Sequence, residues 1–252
     1  VSDDLAVFYT ALYRSSLAPT TYSESNGAYL GQDGKVHYVP AGTRHLSDMS
    51  LWDTFRSQGP LMAWTAPDVM RDQVTSLADM YKQSGDKLPR WPLANVNTNC
   101  MVGSHGVAIL KDAVVKNIGG VDAELIANIV IDVVVKQSLQ QLGAQNFVDA
   151  KQNSRGASLT LDYALDAAAA AALAAFVPNA TAATQAAVAT LGKASASFKN
   201  VWSDKRQIFC PTQADGAKKC PALTWLPYPI EKHYTEGDAE QYRWYVPQDV
   251  PG

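Results

Sequence analysis

Hydrophobic residues recur at helical spacing along most of this sequence. Between residues 3 and 15, the apolar positions Leu5, Phe8, Tyr9, Leu12 and Tyr13 fall on one stripe, because residues three and four apart share a helix face. Similar patterns predict further helices at residues 51–58, 67–84, 101–117, 122–142, 158–176 and 181–202. Residues 17–47, 87–99 and 204–233 lack this period and contain Pro or Gly. The pattern therefore predicts an all-α fold with long loops.

Residues that start or stop helices set the expected boundaries. Pro67 fits the first turn of a helix, and Asp122 and Ser158 fit the capping position before one. Gly59-Pro60 predicts that the preceding helix stops after residue 58, and Asp33-Gly34 predicts a short hairpin. Helix pairs that alternate with long loops are typical of an α-helical toroid, in which the loops gather at one end of a central cavity.

Composition and charge exclude several classes of function. The 252 residues are 47% hydrophobic and 18% charged, which is typical of a globular protein and sufficient for a single domain over residues 1–252. A net charge of -3 and a pI near 5.8 predict no nucleic-acid partner and no membrane-surface partner. The longest apolar run, residues 167–177, is too short to cross a bilayer. Because the sequence begins with Val1, we expect a processed or internal N-terminus.

Three cysteines and one glycosylation pattern bear on the compartment. Cys210 and Cys220 flank a polar turn, and a disulfide between them would fit an oxidising compartment. Two separate thiols or, less readily, a zinc pair would fit the same spacing. Cys100 is then left over, and we expect it to be buried. Asn179-Ala180-Thr181 is an acceptor pattern for N-glycosylation. Together these features predict a secreted protein.

The segment from Ser50 to Arg56 carries the chemical groups that a sugar site needs. The indole of Trp52 can lie against the apolar face of a sugar ring, and the carboxylate of Asp53 can accept hydrogen bonds from two hydroxyls. Arg56, one helical turn beyond Asp53, would share its face and fix its rotamer. The alternative is a helix start with a buried Trp, a capping Asp and a surface Arg.

Further candidates lie later in the chain. Glu236 stands among Tyr234, Tyr242 and Trp244, and apolar surroundings favour the protonated carboxyl of a general acid. The alternative for Glu236 is an exposed residue in the first turn of a helix. The sequence has no Gly-x-Ser-x-Gly motif, phosphate loop, dinucleotide fingerprint or His-Glu-x-x-His motif.

Two smaller groups of polar residues have less specific patterns. His105 is typical of a core histidine as well as of a site residue. Asp162 and Asp166, one helical turn apart, could bind a cation, but this spacing favours a solvated or capping face.

Five segments occur in one order along the chain: residues 8–15, 17–20, 50–56, 87–93 and 234–237, the last reading Tyr-Thr-Glu-Gly. Together they resemble glycoside hydrolase family 92, the calcium-dependent exo-acting α-mannosidases. The resemblance runs from end to end of this chain, but it covers only part of such an enzyme, roughly the first half of its (α/α)6 catalytic toroid.

The resemblance implies inverting hydrolysis at a terminal mannose. By position, Glu236 matches the general acid, and Asp53 and Trp91 match residues that hold the mannose. Other expected contributors to this sugar site are Trp52, Arg56, Asn97, Asn99 and His105.

The same resemblance implies a cofactor and partners. Calcium is the implied cofactor, and we expect the catalytic base and most of the calcium ligands to come from segments of the family that lie beyond Gly252. No calcium ligand is therefore assigned within residues 1–252. The implied partners are mannose-containing glycans and the remainder of the catalytic domain or a partner chain.

Four positions depart from the family pattern. Asn97 stands where an acidic residue is usual, and Gln248 stands where a His is usual. Ser104 replaces a common Tyr, and Ala167 replaces a second Asp after Asp166. These departures bear on substrate choice and on activity itself. The alternative function is therefore a non-catalytic glycan-binding or structural member of the same fold.

Overall fold

The computed structural model describes residues 2–178, 181–221 and 233–250, and most of this part of the chain is helical or in loops. The helices are α1 Asp3–Ser15, α2 Leu51–Thr54, α3 Gln58–Thr65, α4 Pro67–Gln83, α5 Gly106–Val115, α6 Ala123–Val133, α7 Leu139–Leu142, α8 Gly156–Leu173, α9 Ala182–Ser195, α10 Phe198–Val201 and α11 Ala239–Tyr242. The predicted all-α fold is confirmed.

Short antiparallel strand pairs lie in the loops between helices. The pairs are β1 Thr20–Thr21 with β4 Leu46–Ser47, β2 Ala28–Leu30 with β3 Val36–Tyr38, β5 Pro92–Leu93 with β6 Val96–Asn97, and β7 Trp202–Ser203 with β8 Ile208–Phe209. The β2–β3 pair confirms the predicted hairpin at Asp33-Gly34. The β5–β6 hairpin follows directly on Trp91.

Helix α8 lies in the centre of the core. It contacts α5, α6, α9 and α10, and small side chains such as Ala164, Ala167 and Ala170 are fully buried along it. In the described part of the chain, Gly156–Phe176 is the one helical stretch with the length and composition to cross a membrane, and 61% of its apolar window is buried. Its apolar surface is therefore used mainly for packing against neighbouring helices.

A π-helical turn, Val134–Ser138, joins α6 to α7 without a break. The predicted helix over residues 122–142 is thus continuous, and Asp122 caps it as expected by accepting a hydrogen bond from the Leu125 N–H at 3.0 Å. A π turn holds one residue more than an α turn and is frequent at functional sites. This extra residue directs the Ser138 hydroxyl to Asp166 on α8, at 2.9 Å.

The predicted helix over residues 51–58 is wrong in its extent. Helix α2 ends at Thr54, and α3 begins at Gln58 and runs through Gly59 and Pro60. Proline is tolerated there because the first N–H groups of a helix have no partner within it, so Pro60 removes no helical hydrogen bond. Gly59-Pro60 therefore marks a helix start rather than a stop.

Helix α1 has the predicted bounds, and Ser2 caps it, but its apolar stripe is not buried. Phe8 is 59% exposed and Tyr13 is 68% exposed. The helix is held at its C-terminal end, where Gln58 Nε2 donates hydrogen bonds to the carbonyls of Ser15 and Ala18 at 2.6 and 2.7 Å. The stripe is thus a surface feature of the described chain.

The remaining expectations have mixed outcomes. The Cys210–Cys220 disulfide is present, as predicted. Cys100 is exposed, so its predicted burial is wrong.

Helix α5 starts at Gly106 and not at residue 101. Met101 and Gly103 adopt positive φ angles of 65° and 69°, which are incompatible with a right-handed α-helix. Asn179, the predicted glycosylation site, lies outside the described residues.

Candidate active site

Trp91 and Asp53 are brought together by a hydroxyl between them. The indole Nε1 of Trp91 donates a hydrogen bond to Ser50 Oγ at 2.9 Å, and the Ser50 hydroxyl donates in turn to Asp53 Oδ2. Asp53 is exposed and Trp91 is half-buried. The predicted sugar-holding pair therefore forms one hydrogen-bonded unit at the start of α2, with both groups open to a ligand.

Backbone contacts fix the loop of Trp91 against the segment before α2. The Met49 N–H donates to the Pro92 carbonyl at 3.1 Å, and the Ser47 hydroxyl donates to the Ala94 carbonyl at 2.8 Å. These bonds join β4 to the β5–β6 hairpin. They hold the Trp91 loop in register with Ser50 and Asp53.

Asn97 shapes the same loop from within. Its side-chain oxygen accepts hydrogen bonds from the N–H groups of Arg90, Trp91 and Asn99, at 3.2, 3.2 and 3.0 Å. Asn99 has a left-handed φ of 57°, which asparagine tolerates better than most residues. Asn97 thus positions Trp91, in addition to any contact that it makes with a ligand.

Arg56 does not hold Asp53 as the sequence predicted. Its guanidinium carbon lies 5.2 Å from the ring centroid of Trp52, 4.8 Å from that of Phe55 and 4.5 Å from that of Tyr245. No ion pair joins Arg56 to Asp53 within the described residues, because the guanidinium lies against these three rings instead. Trp52 is only 9% exposed, so its indole serves the core and not an open sugar platform.

The segment before α11 holds Glu236 at the tip of an anchored turn. The Thr235 N–H donates to Ser158 Oγ at 3.1 Å, and the Tyr242 hydroxyl donates to the Thr235 carbonyl at 2.6 Å. Glu236 itself is exposed and has a left-handed φ of 48°, a conformation that costs about 1–3 kcal/mol for a residue other than glycine. Both bonds anchor Thr235, the residue before Glu236, and so hold the Glu236 backbone in this strained geometry.

The expected aromatic enclosure of Glu236 is wrong. Tyr234 and Tyr242 are 1% and 7% exposed and stack on each other with ring centroids 5.5 Å apart, whereas Trp244 is 80% exposed. The two tyrosines support the turn from below because their hydroxyls bond to backbone carbonyls. The Glu236 carboxylate consequently faces outward.

Tyr245 connects the segment of Asp53 to the segment of Glu236. Its ring packs edge-to-face on Tyr242 with centroids 5.9 Å apart, and its face carries the guanidinium of Arg56. Arg56 belongs to the segment that starts with Asp53, and Tyr242 bonds to the turn of Glu236. Asp53 and Glu236 therefore project from two segments that Tyr245 joins.

Behind this surface lies a buried cluster that the sequence did not predict. His105 Nε2 lies 3.1 Å from Asp162 Oδ1, and His105 Nδ1 lies 3.6 Å from Asp166 Oδ1. All three side chains are fully buried, so the predicted solvated or capping face at Asp162 and Asp166 is wrong. Phe55 stacks on His105 with ring centroids 4.4 Å apart. His105 thus supports α2 from within the core, and its predicted contact with a sugar is not supported by this burial.

Only one carboxylate oxygen of Asp166 accepts hydrogen bonds from the described residues. Its Oδ2 accepts hydrogen bonds from the Ser104 N–H at 3.0 Å and the Ser138 hydroxyl at 2.9 Å, while its Oδ1 has no hydrogen-bond partner among the described residues. Burial raises the pKa of Asp166 to about 6, and the charge of His105 and the two hydrogen bonds oppose this shift. A sequence clue existed, since Asp162 and Asp166 interrupt an otherwise apolar, Ala-rich helix.

The described residues contain no group of three or more His, Cys, Asp or Glu side chains arranged to hold a metal ion. Calcium prefers oxygen ligands, and carboxylates are prominent among them; a site built on three or more such side chains is not present in this part of the chain. The calcium implied by the family resemblance does not fit the residues that the structure describes. Its ligands are expected mostly beyond Gly252, a residue that itself lies outside the described ranges, so their location stays a prediction.

The fold and the site define a class: a helical domain with a half-buried indole and two exposed carboxylates on adjoining segments, as carbohydrate-processing proteins present them. The model of the glycosyl hydrolase family 92 catalytic domain matches residues 1–252, and the chain belongs to this family. Among curated proteins, none matches the sequence.

Solved structures agree with this assignment. The GH92 α-mannosidase BT3965 from Bacteroides thetaiotaomicron superposes with a TM-score of 0.83 at 25% sequence identity, over 95% of this chain and 32% of that one. Its complex with mannoimidazole gives a TM-score of 0.84 at the same identity and coverage. The inverting mannosidase BT2199 of the same organism shares the fold, with a TM-score of 0.81 at 24% identity over 96% of this chain and 33% of that one. The chain spans about a third of these relatives, which confirms the predicted partial toroid.

Proposed function

We propose that this chain forms part of an exo-acting, inverting α-mannosidase that removes terminal mannose from glycans. The observation that carries the proposal is the hydrogen-bonded unit of Trp91, Ser50 and Asp53 in contact, through Arg56 and Tyr245, with the segment of Glu236. The family and the solved α-mannosidases support the substrate class, and one of these was solved with mannoimidazole.

Each exposed group has a defined task in this proposal. Asp53 accepts hydrogen bonds from two hydroxyls of the terminal mannose, and the half-buried Trp91 covers the apolar face of the ring. Glu236 donates a proton to the departing glycosidic oxygen. In an inverting reaction a second carboxylate, about 6.5–9.5 Å from the acid, activates the attacking water. We assign this base to the remainder of the catalytic domain, and we expect the isolated 252 residues to be inactive.

Calcium enters this proposal only through the family resemblance. Because the described residues offer no suitable group of ligands, we assign most of its ligands to segments beyond Gly252, and no step assigned to this chain depends on the ion. The exposed apolar stripe of α1 supports a related proposal, namely that the remainder of the catalytic domain, or a partner chain, covers this helix.

The test is the variant Glu236→Gln in a protein that carries the complete catalytic domain. Loss of the acid should lower kcat for mannobiose hydrolysis by about 10²–10⁴-fold with an unchanged melting temperature. The matched control is Glu240→Gln, which changes a second exposed glutamate that pairs with Arg243 at 3.5 Å. The control should retain wild-type turnover. Near-normal turnover by Glu236→Gln would overturn the assignment.

A second candidate is a glycan-binding member without catalysis. It is favoured by one observation: Asn97, at a position where the family usually has an acidic residue, is engaged in three loop hydrogen bonds. Calorimetry with mannobiose, on a protein that carries the complete catalytic domain, separates the two candidates. Binding without hydrolysis that a chelator does not change would support the second candidate and contradict the first.

We also propose secretion into an oxidising compartment. The Cys210–Cys220 disulfide supports this location, since such bonds persist mainly outside reducing compartments. Free-thiol labelling of freshly isolated protein should modify one cysteine, the exposed Cys100. Labelling of all three would contradict the proposal.

A further inference from the structure

A polar pocket of about 480 Å³ lies beside the loop that carries Trp91. This volume is within the range of small-molecule sites, about 300–1,000 Å³. The pocket is lined by Arg90, Lys87, Lys136, Gln137, Ser104 and Tyr163, among other residues. It opens where α4 ends and where the π turn leads into α7, and π turns are frequent at functional sites.

Arg90 is held in a fixed orientation at this pocket. Its Nε donates to the Gly103 carbonyl at 3.0 Å, and its Nη1 donates to the carbonyls of Met101 and Asn99 at 3.2 and 3.5 Å. These acceptors are neutral, so they orient the guanidinium without neutralising it. Its Nη2 makes no hydrogen bond to the described residues. A preorganised guanidinium with free donors is the group of choice for a carboxylate or phosphate.

Tyr163 brings an unpartnered hydroxyl to the same pocket. The residue is 7% exposed and lines the pocket, yet its hydroxyl makes no hydrogen bond to the described residues. Buried tyrosine hydroxyls usually find a partner. Burial, with a contribution from Asp166, raises the pKa of Tyr163 to about 12, while the charge of Arg90 opposes the rise. The hydroxyl therefore stays protonated at neutral pH as a donor close to Arg90.

The charges of the pocket favour an anion. Lys136 is paired with Asp132 at 2.8 Å, whereas Lys87 forms no ion pair with any described residue. Arg90 and Lys87 then outweigh Asp86, the one carboxylate in the lining. The other lining groups are mainly amides and hydroxyls, which bond sugar hydroxyls in both directions. A pocket of this size and lining suits a whole sugar unit better than a bare ion.

We propose that this pocket binds an acidic sugar, whose anionic group contacts Arg90 and Lys87 and whose hydroxyls bond to Tyr163 and the surrounding amides. This site is separate in its chemistry from proton donation by Glu236, and the proposal does not rest on mannoside hydrolysis.

The test is isothermal titration calorimetry of the 252-residue chain with glucuronate, glucose and inorganic phosphate. Glucuronate should bind more tightly than glucose. Tyr163→Phe, which keeps the ring that packs in the core, should weaken glucuronate binding about three- to tenfold. Lys87→Gln should weaken it about two- to fivefold and leave the affinity for glucose unchanged. The matched control Lys219→Gln changes an exposed lysine outside the pocket lining and should have no effect.

Three outcomes would overturn the proposal. One is equal affinity for glucose and glucuronate, because the two cations would then play no part. Another is binding of phosphate without any binding of glucuronate, which would define a bare-anion site. The third is unchanged glucuronate affinity in folded Tyr163→Phe protein, since the ligand would then lie elsewhere.

Discussion

Trp91 is hydrogen-bonded to Ser50, and this one contact ties the candidate indole to the candidate carboxylate. The Ser50 hydroxyl acts as both acceptor and donor: it accepts a hydrogen bond from Trp91 Nε1 and donates one to Asp53. The geometry thus orders the ring and the carboxylate before any sugar arrives, and preorganisation of this kind lowers the free-energy cost of binding.

Ser50→Ala should uncouple this pair. Trp91 loses its acceptor and Asp53 loses its donor, and hydrogen bonds to charged groups contribute about 1.5–3 kcal/mol. We expect kcat/KM for mannobiose, in a protein with the complete catalytic domain, to fall about tenfold or more. The control is Ser57→Ala, since Ser57 precedes α3 but makes no side-chain capping bond. Equal activity of both variants would contradict the role of Ser50.

Two buried groups should give opposite pH dependences of stability. Burial raises the pKa of Asp166 to about 6, so its favourable contribution is complete below pH 4 and is lost as pH rises towards 6. Burial lowers the pKa of His45 to about 4, so its contribution is complete above pH 6.5 and is lost as pH falls. Each contribution is on the order of 3 kcal/mol, and the two act in opposite directions.

Asp166→Asn should remove the contribution that opposes that of His45. Between pH 4 and 6.5, we expect the free energy of unfolding in urea to rise more in this variant than in the wild type, and the difference should be on the order of 3 kcal/mol. Asp68→Asn serves as the control because the Asp68 side chain is 63% exposed, and it should retain the wild-type profile. A flat profile for Asp166→Asn would show that the two groups do not oppose each other.

The disulfide should stabilise the segment that supports Glu236. It closes a short loop, with a sequence separation of 10 residues, next to β8. The Phe209 carbonyl of β8 accepts a hydrogen bond from Tyr234. A loop of this length is expected to contribute about 3 kcal/mol. Replacing Cys210 and Cys220 by Ser should lower the free energy of unfolding by that amount, measured in urea.

Cys100→Ser is the matched control for this measurement, because Cys100 is exposed and unpaired. It should leave stability unchanged, and a reductant should destabilise it as much as it destabilises the wild type. Insensitivity of the wild type to reductant would show that the disulfide contributes no stability.

Shortening an apolar side chain of the α1 stripe should lower the free energy of unfolding of this chain only slightly. Phe8 is 59% exposed, so Phe8→Ala should change the free energy of unfolding by less than about 0.5 kcal/mol. Leu77 on α4 is fully buried, and Leu77→Ala should cost about 2–5 kcal/mol. In a protein with the complete catalytic domain, we expect Phe8→Ala to become costly. An equally small effect there would show that nothing covers the stripe.

The sequence was sufficient for features set by nearby residues. The bounds of α1 and α4 and the β2–β3 hairpin follow from Ser2, Pro67 and Asp33-Gly34, each of which acts within one turn of the chain. Gly59-Pro60 misled because such a pair is compatible with the end of a helix and with the first turn of another. Local propensity does not distinguish these two positions.

Features that join distant segments could not be predicted. Nothing near Arg56 indicates Tyr245, and nothing near His105 indicates Asp162, because tertiary packing alone brings them together. The family resemblance identified Asp53, Trp91 and Glu236 as candidates, but it could not show that Ser50 links the first two. Trp52 is buried, and the exposed Arg56 lies against the rings of Trp52, Phe55 and Tyr245 instead of Asp53.

The π turn at Val134–Ser138 takes up one residue that a regular helix could not hold without turning everything after it by about 100°. Removing one residue there would restore ordinary winding and leave α6 and α7 on their present faces. The loss would fall on the turn itself, where Gln137 accepts a hydrogen bond from the Ser104 hydroxyl and Ser138 donates one to Asp166. A single deletion in this turn would thus spare the helices on either side and disturb the pocket wall or the buried carboxylate.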